Sequence, residues 1–116
     1  MNSCLVIPVE AVCLYILDES GIVYKYDGDL PKLYKVLRRE LQIDPALCTD
    51  DNFKQILSGL ISIVNGLSSV RNLMSDAHGK VKGGYYKPAK RHAILAINAA
   101  KVVSEFIYSS WKNKKK

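Results

Sequence analysis

Arg71 and His78 are the residues of this chain whose types and spacing could do chemistry together. They stand seven apart, nearly two whole helical turns, so on a helix of about 100° per residue they share one face. An arginine can hold the non-bridging oxygens of a phosphate and offset the charge that builds there in a transition state. A histidine can take or give a proton near neutral pH. With a polar shell, that set suffices to cleave RNA through attack of its own 2′-OH on the adjacent phosphorus. The route needs no metal, and DNA, which lacks the hydroxyl, is inert to it. Asn72 lies about 100° around the helix, where it can orient the pair or reach a phosphate. Ser75 lies beside the pair. Asp76 can accept a hydrogen bond from an imidazole or bond the backbone near the helix end. The same spacing also fits a plainer role for Arg71 and His78, a buried hydrogen-bonding pair that fixes helix packing.

A long helix must carry them. Counting from Phe53, Ile56, Leu57, Leu60, Ile63, Val64, Leu67, Val70, Met74 and Ala77 fall on one broad apolar face. Ser58, Ser62, Asn65, Ser69 and Asp76 fall opposite. Arg71 and His78 sit inside the apolar stripe, where they need partners. Thr49 or Asp50 supplies the N-cap, with Asp50 and Asp51 at the positive end. Gly79 suits the left-handed residue that ends a helix. The pattern predicts about 29 residues to His78, roughly 43 Å, with a kink at Gly66-Leu67-Ser68-Ser69. His78 then falls in the last turn, where the helix dipole favours its protonated form. Gly59 and Gly66, also seven apart, align on one side and allow another backbone to approach.

Three more helices follow from the same periodicity. Val9, Val12, Cys13, Ile16 and Leu17 give a first helix over 9–17, closed by a turn at Glu19-Ser20-Gly21. Ile22, Tyr24 and Tyr26 alternate with Val23 and Lys25, as in a short extended segment near 22–26. Asp27-Gly28 is a turn, and Asp29 with Pro31 opens a second helix to about Gln42. Pro88 opens the last helix, with Ala89, Ala93, Ala96, Ile97, Ala100, Val103, Ile107 and Trp111 as its stripe. Lys112–Lys116 reads as a disordered basic tail. The fold class is all-α, a bundle of about four helices in a single domain over 1–116.

Charge is divided unevenly. Residues 1–70 hold six Lys/Arg and nine Asp/Glu, a balance of −3; residues 71–116 hold eleven and two, a balance of +9. The half with the Arg/His pair thus suits an anionic partner, nucleic acid first. Lys80, Lys82 and Lys87 interleave with Gly83-Gly84 and Tyr85-Tyr86 in a loop that can grip phosphates and stack on bases; a plain surface loop has the same composition. Lys90 and Arg91 add to the attraction for RNA. His92 is either a satisfied, partly buried histidine at the start of the last helix or a second active-site imidazole. Asp76 and Glu105 are the only carboxylates of the basic half, so no metal and no cofactor is expected. Cys4, Cys13 and Cys48 form an odd set without metal-ligand spacing, as for free thiols in a cytoplasmic protein. No apolar run approaches the roughly 20 residues of a membrane span.

Arg71, the polar Asn72, five further residues and His78 resemble the R-polar-x-H motif of the HEPN ribonuclease superfamily. Ile63-Val64-Asn65-Gly66-Leu67, Ser75-Asp76-Ala77-His78-Gly79, Arg91-His92-Ala93 and Asn98-Ala99-Ala100 narrow the resemblance to the C-terminal domain of bacterial abortive-infection (Abi) proteins, from about Val9 to Trp111. The resemblance implies a HEPN-like bundle and a metal-independent endoribonuclease of phage defence or of a toxin–antitoxin pair. It implies a homodimer in which two motifs meet across an interface, with an antitoxin or other defence protein as a further partner. Two other functions fit the same sequence, a non-catalytic nucleic-acid-binding module and a protein-interaction module.

Overall fold

The structure is a computed structural model that describes residues 7–75, 80–81, 84–85 and 89–115. Four helices order the chain: α1 (Ile7–Glu19), α2 (Leu30–Glu40), α3 (Asp51–Ser75) and α4 (Lys90–Lys115). A 3-10 turn, Pro45–Leu47, precedes α3, and a two-residue hairpin, β1 (Lys80–Val81) with β2 (Gly84–Tyr85), lies between α3 and α4. The all-α class of the sequence is the class of the fold.

Local chemistry sets the boundaries. α1 closes with Gly21 at φ +75°, Gly21 N–H donating to the Asp18 carbonyl and Ile22 N–H to that of Leu17. That is the Schellman pattern, which needs a left-handed residue at this position. α2 opens with the Asp29 carboxylate accepting from Lys32 N–H and Pro31 in the first turn. It closes in the same way as α1, with Ile43 N–H on the Arg38 carbonyl, but here the left-handed residue is Gln42 at φ +59°. Asp50 caps α3, accepting from Asn52 N–H at 2.9 Å.

The core joins one face of each helix. Val9, Cys13, Ile16 and Leu17 of α1 meet Leu30, Leu33, Tyr34 and Leu37 of α2, Leu60, Val64 and Leu67 of α3, and Ala100, Val103, Ile107 and Trp111 of α4. Tyr15 and Trp111 pack edge to face at 5.5 Å, joining α1 to the far end of α4.

Several expectations need correction. α3 is one unbroken helix of 25 residues, and its described part ends at Ser75. Residues 22–26 alternate half-buried Ile22, Tyr24 and Tyr26 with exposed Val23 and Lys25, as the expected extended segment would, without pairing into a sheet. The lysine-rich loop contains a hairpin. Residues 112–115 are helical rather than a disordered tail, because Lys114 donates to the carbonyl and carboxylate of Glu40 and Lys112 lies over the Tyr108 ring. α3 is also long and apolar enough to cross a membrane, with mean hydropathy 1.2 over Asp51–Leu73. The expectation from runs failed because its serines, glycines and asparagine interrupt the runs without adding charge. Leu60, Val64 and Leu67 of α3 face the bundle interior.

Candidate active site around Arg71

α3 delivers Arg71 one turn before its last described residue, Ser75. Leu60, Val64 and Leu67, on the same face, are packed within the chain's own core. Their burial turns the Arg71 side chain toward α1, where Nη1 stands 3.6 Å from Oε1 of Glu10. The distance makes an ion pair rather than a hydrogen bond. The Glu10 side chain is 12% exposed and that of Arg71 30%.

Tyr26, from the segment after α1, completes the cluster. Its hydroxyl is buried beside both charges without a well-formed hydrogen bond, and the same holds for Oε1 of Glu10. Burial first, and then the Glu10 carboxylate, push the Tyr26 phenol above its ordinary 10.0, while Arg71 pulls it down. Cys13, one turn after Glu10 on α1, is a buried free thiol pushed up to about 12 by burial and then by Glu10. The cysteine is held as a neutral core residue, not a nucleophile.

The remaining site residues fall into three groups. Asn72 is exposed on α3, beside Arg71 but outside the buried cluster. Lys90, Arg91 and His92 form the exposed first turn of α4. His92 is thus not the partly buried histidine that one expectation allowed. It and its two basic neighbours face solvent because the buried face of α4 starts at Ala100. Lys80 and Tyr85 stand opposite each other in the hairpin register. His78, Asp76, Lys82 and Lys87 lie outside the described residues, and of Ser75 only its place at the end of α3 is described.

Glu10 and Tyr26 escaped the sequence reading. Glu10 looked like a margin of the first helix, yet it shares the 3–4 spacing of its buried positions with Cys13 and Leu17. A carboxylate on a buried stripe requires a cation, and Arg71, itself on a buried stripe, was the cation without a partner.

Four helices around one core, with a half-buried arginine clamped at the end of the third, define a helical domain with a polar cluster at one end. A family model described as a HEPN-like domain, Abi_C, matches residues 8–111. The chain belongs to that family of HEPN-like domains. Comparison with curated proteins and with solved structures gave no match.

Proposed function

We propose that this HEPN-like domain is a metal-independent endoribonuclease of bacterial phage defence or of a toxin–antitoxin pair, acting in the cytoplasm as a homodimer. The observation that carries the proposal is the arginine of the motif held half-exposed by a buried carboxylate. Glu10 fixes where the guanidinium sits, and its remaining donors are available to a phosphate. The basic balance of residues 71–116 draws RNA to the same half of the chain.

In this mechanism a base removes the proton of the 2′-OH, and the oxygen attacks the adjacent phosphorus. The bond from phosphorus to the 5′-oxygen breaks, and that oxygen takes up a proton. The products are a 2′,3′-cyclic phosphate and a free 5′-OH. Arg71 stabilises the charge on the non-bridging oxygens, and His78 carries one of the two proton transfers. A second copy supplies the group for the other, since one imidazole cannot stand on both sides of one phosphate.

Cleavage of single-stranded RNA with EDTA present, followed by identification of the termini, tests this. Cyclic phosphate ends are expected, and His78→Ala should slow cleavage by roughly 10²–10⁴. Activity that vanishes with EDTA, or a His78→Ala protein as fast as wild type, would sink the mechanism. The rival function, a non-catalytic binding module, draws on the same ion pair, because Glu10 neutralises Arg71 and ties α1 to α3. It predicts RNA binding without any cleavage.

A further inference from the structure

Three polar side chains meet where α1 crosses the end of α3, and they leave one another unsatisfied. Glu10 Oε1 and the Tyr26 hydroxyl are both shut off from solvent, and among the described residues neither makes a hydrogen bond. Arg71 Nη1 stands 3.6 Å from that carboxylate oxygen, beyond hydrogen-bond length. Buried polar groups are nearly always paired, so two neighbouring orphans of opposite kind, an acceptor and a donor, need a physical reason.

Tyr26 is held in place from both sides. Ile22 N–H donates to the Leu17 carbonyl at the end of α1, and Asp29 N–H donates to the Asp27 carboxylate ahead of α2. Burial is the largest influence on the phenol and pushes it up; Glu10 pushes it further and Arg71 pulls it down, as for a hydroxyl lying against both. The phenol therefore keeps its proton at neutral pH and is a neutral donor beside a buried carboxylate. The Cys13 thiol, one turn from Glu10, is a far weaker donor.

Arg71 cannot serve Glu10 and a phosphate at full strength together. A phosphate takes part of the guanidinium's charge and donors away from Glu10, and a carboxylate left buried without a partner is strongly unfavourable. We propose that Tyr26 is a positioning residue that resolves this conflict: as a phosphate draws Arg71 toward solvent, the Tyr26 hydroxyl donates to the Glu10 carboxylate in its place. Glu10 then has a partner in both states, Arg71 before the phosphate arrives and Tyr26 after it. The Arg71 side chain is 30% exposed, so the guanidinium has a solvent side to move toward. A purely structural tie would gain by closing these gaps at rest, whereas an exchange of partners needs the hydroxyl uncommitted until then. The phosphate is that of RNA in the ribonuclease proposal, on which the inference rests; the exchange itself is measurable without cleavage.

A single-stranded DNA oligonucleotide, which carries the phosphates but no 2′-OH, is the probe. Tyr26→Phe keeps the ring and removes only the hydroxyl. It should weaken oligonucleotide binding by at least about 10-fold, the worth of one hydrogen bond to a charged group. Its melting temperature should match or exceed that of wild type, since an unpaired buried hydroxyl contributes nothing at rest. In a Glu10→Gln chain no charge is stranded, so adding Tyr26→Phe should change affinity by less than about two-fold. NMR of carbon-labelled tyrosine reads the exchange directly, with the Tyr26 Cζ resonance assigned by its absence from Tyr26→Phe. That resonance should move as the oligonucleotide saturates the wild type, and should already stand at the moved position in Arg71→Met without any oligonucleotide. Equal affinity of wild type and Tyr26→Phe, or a Tyr26 resonance that moves in neither case, overturns the exchange. A lower melting temperature for Tyr26→Phe, with the same loss of binding in the Glu10→Gln chain, makes the hydroxyl a structural tie and overturns it too. Exchange without any cleavage of RNA would fail the ribonuclease proposal and leave the role of Tyr26 standing.

Discussion

Arg71 on α3 and Glu10 on α1 form a largely buried ion pair, with Nη1 and Oε1 3.6 Å apart. The contact makes the motif arginine both a candidate catalytic group and a tie between two helices. Loss of stability in an Arg71 variant therefore cannot by itself separate a functional arginine from a structural one.

Arg71→Ala should strand the Glu10 carboxylate and cost about 2 kcal/mol in urea unfolding. A fully buried pair would cost about 3–5, and the 30% exposure of Arg71 lets water relieve part of the loss. Arg71→Lys should recover most of the stability, since an ammonium still opposes Glu10, but little of the cleavage rate, since a point charge does not replace the guanidinium fork. Recovery of both together would reduce Arg71 to a simple countercharge. Glu10→Ala should lower stability and slow cleavage through a loosened Arg71.

Asp44 makes stability depend on acid pH. Its carboxylate accepts from Ala46 N–H at 2.9 Å and from Arg38 Nε at 3.1 Å, joining α2 to the turn before α3. The Ala46 backbone bond first, and Arg38 after it, hold the carboxyl below its ordinary 3.8. A group depressed on folding contributes its stability above the unfolded value and loses it as pH falls through the folded one. The melting temperature should fall as pH drops below about 3.8, and Asp44→Asn should flatten that fall. An equally steep acid limb in Asp44→Asn would place the titration elsewhere.

Much of this fold could be read from spacing. The α3 stripe contained its buried apolar residues Leu60, Val64 and Leu67, because periodicity reports the side that faces a core, although Ile56 of the same stripe is exposed. Asp29 and Asp50 marked helix starts for the same local reason. What escaped was tertiary. Glu10 and Tyr26 belong to the Arg71 cluster only because α1 crosses the end of α3, and no local pattern fixes that crossing. The extra turn of α4 also depends on a distant partner, as Glu40 holds Lys114. Gly59 and Gly66 read as packing residues, yet a Cβ added at either would meet nothing within 4 Å.

Gln42 marks a place where the sequence departs from what its backbone favours. It sits at φ +59° in a helix-ending motif that usually carries glycine. The side chain is exposed and contributes nothing to the core. Gln42→Gly should relieve a left-handed cost of about 1–2 kcal/mol against an added unfolded-state entropy of up to about 1. The net expectation is a gain of about 0.5 kcal/mol by thermal melting. A loss would mean that Gln42 makes a contact in solution that outweighs the backbone strain.

The basic half makes a claim about salt. Each lysine that contacts a phosphate of single-stranded RNA contributes about 0.7 to the slope of log affinity against log salt. Replacing Lys80, Lys82 and Lys87 together by Ala should therefore weaken binding and make the slope shallower by about 2. Lys35→Ala, on the exposed side of α2 in the acidic half, should change neither quantity. Lys90→Ala with Arg91→Ala tests whether the exposed first turn of α4 continues the same path, and should remove roughly one further unit of slope. Binding is best measured with His78→Ala, which removes cleavage without removing these charges. An unchanged slope in the triple variant would exclude the 80–87 segment from the RNA path. A slope that drops equally for Lys35→Ala would show that RNA responds to net charge alone, with no dedicated surface.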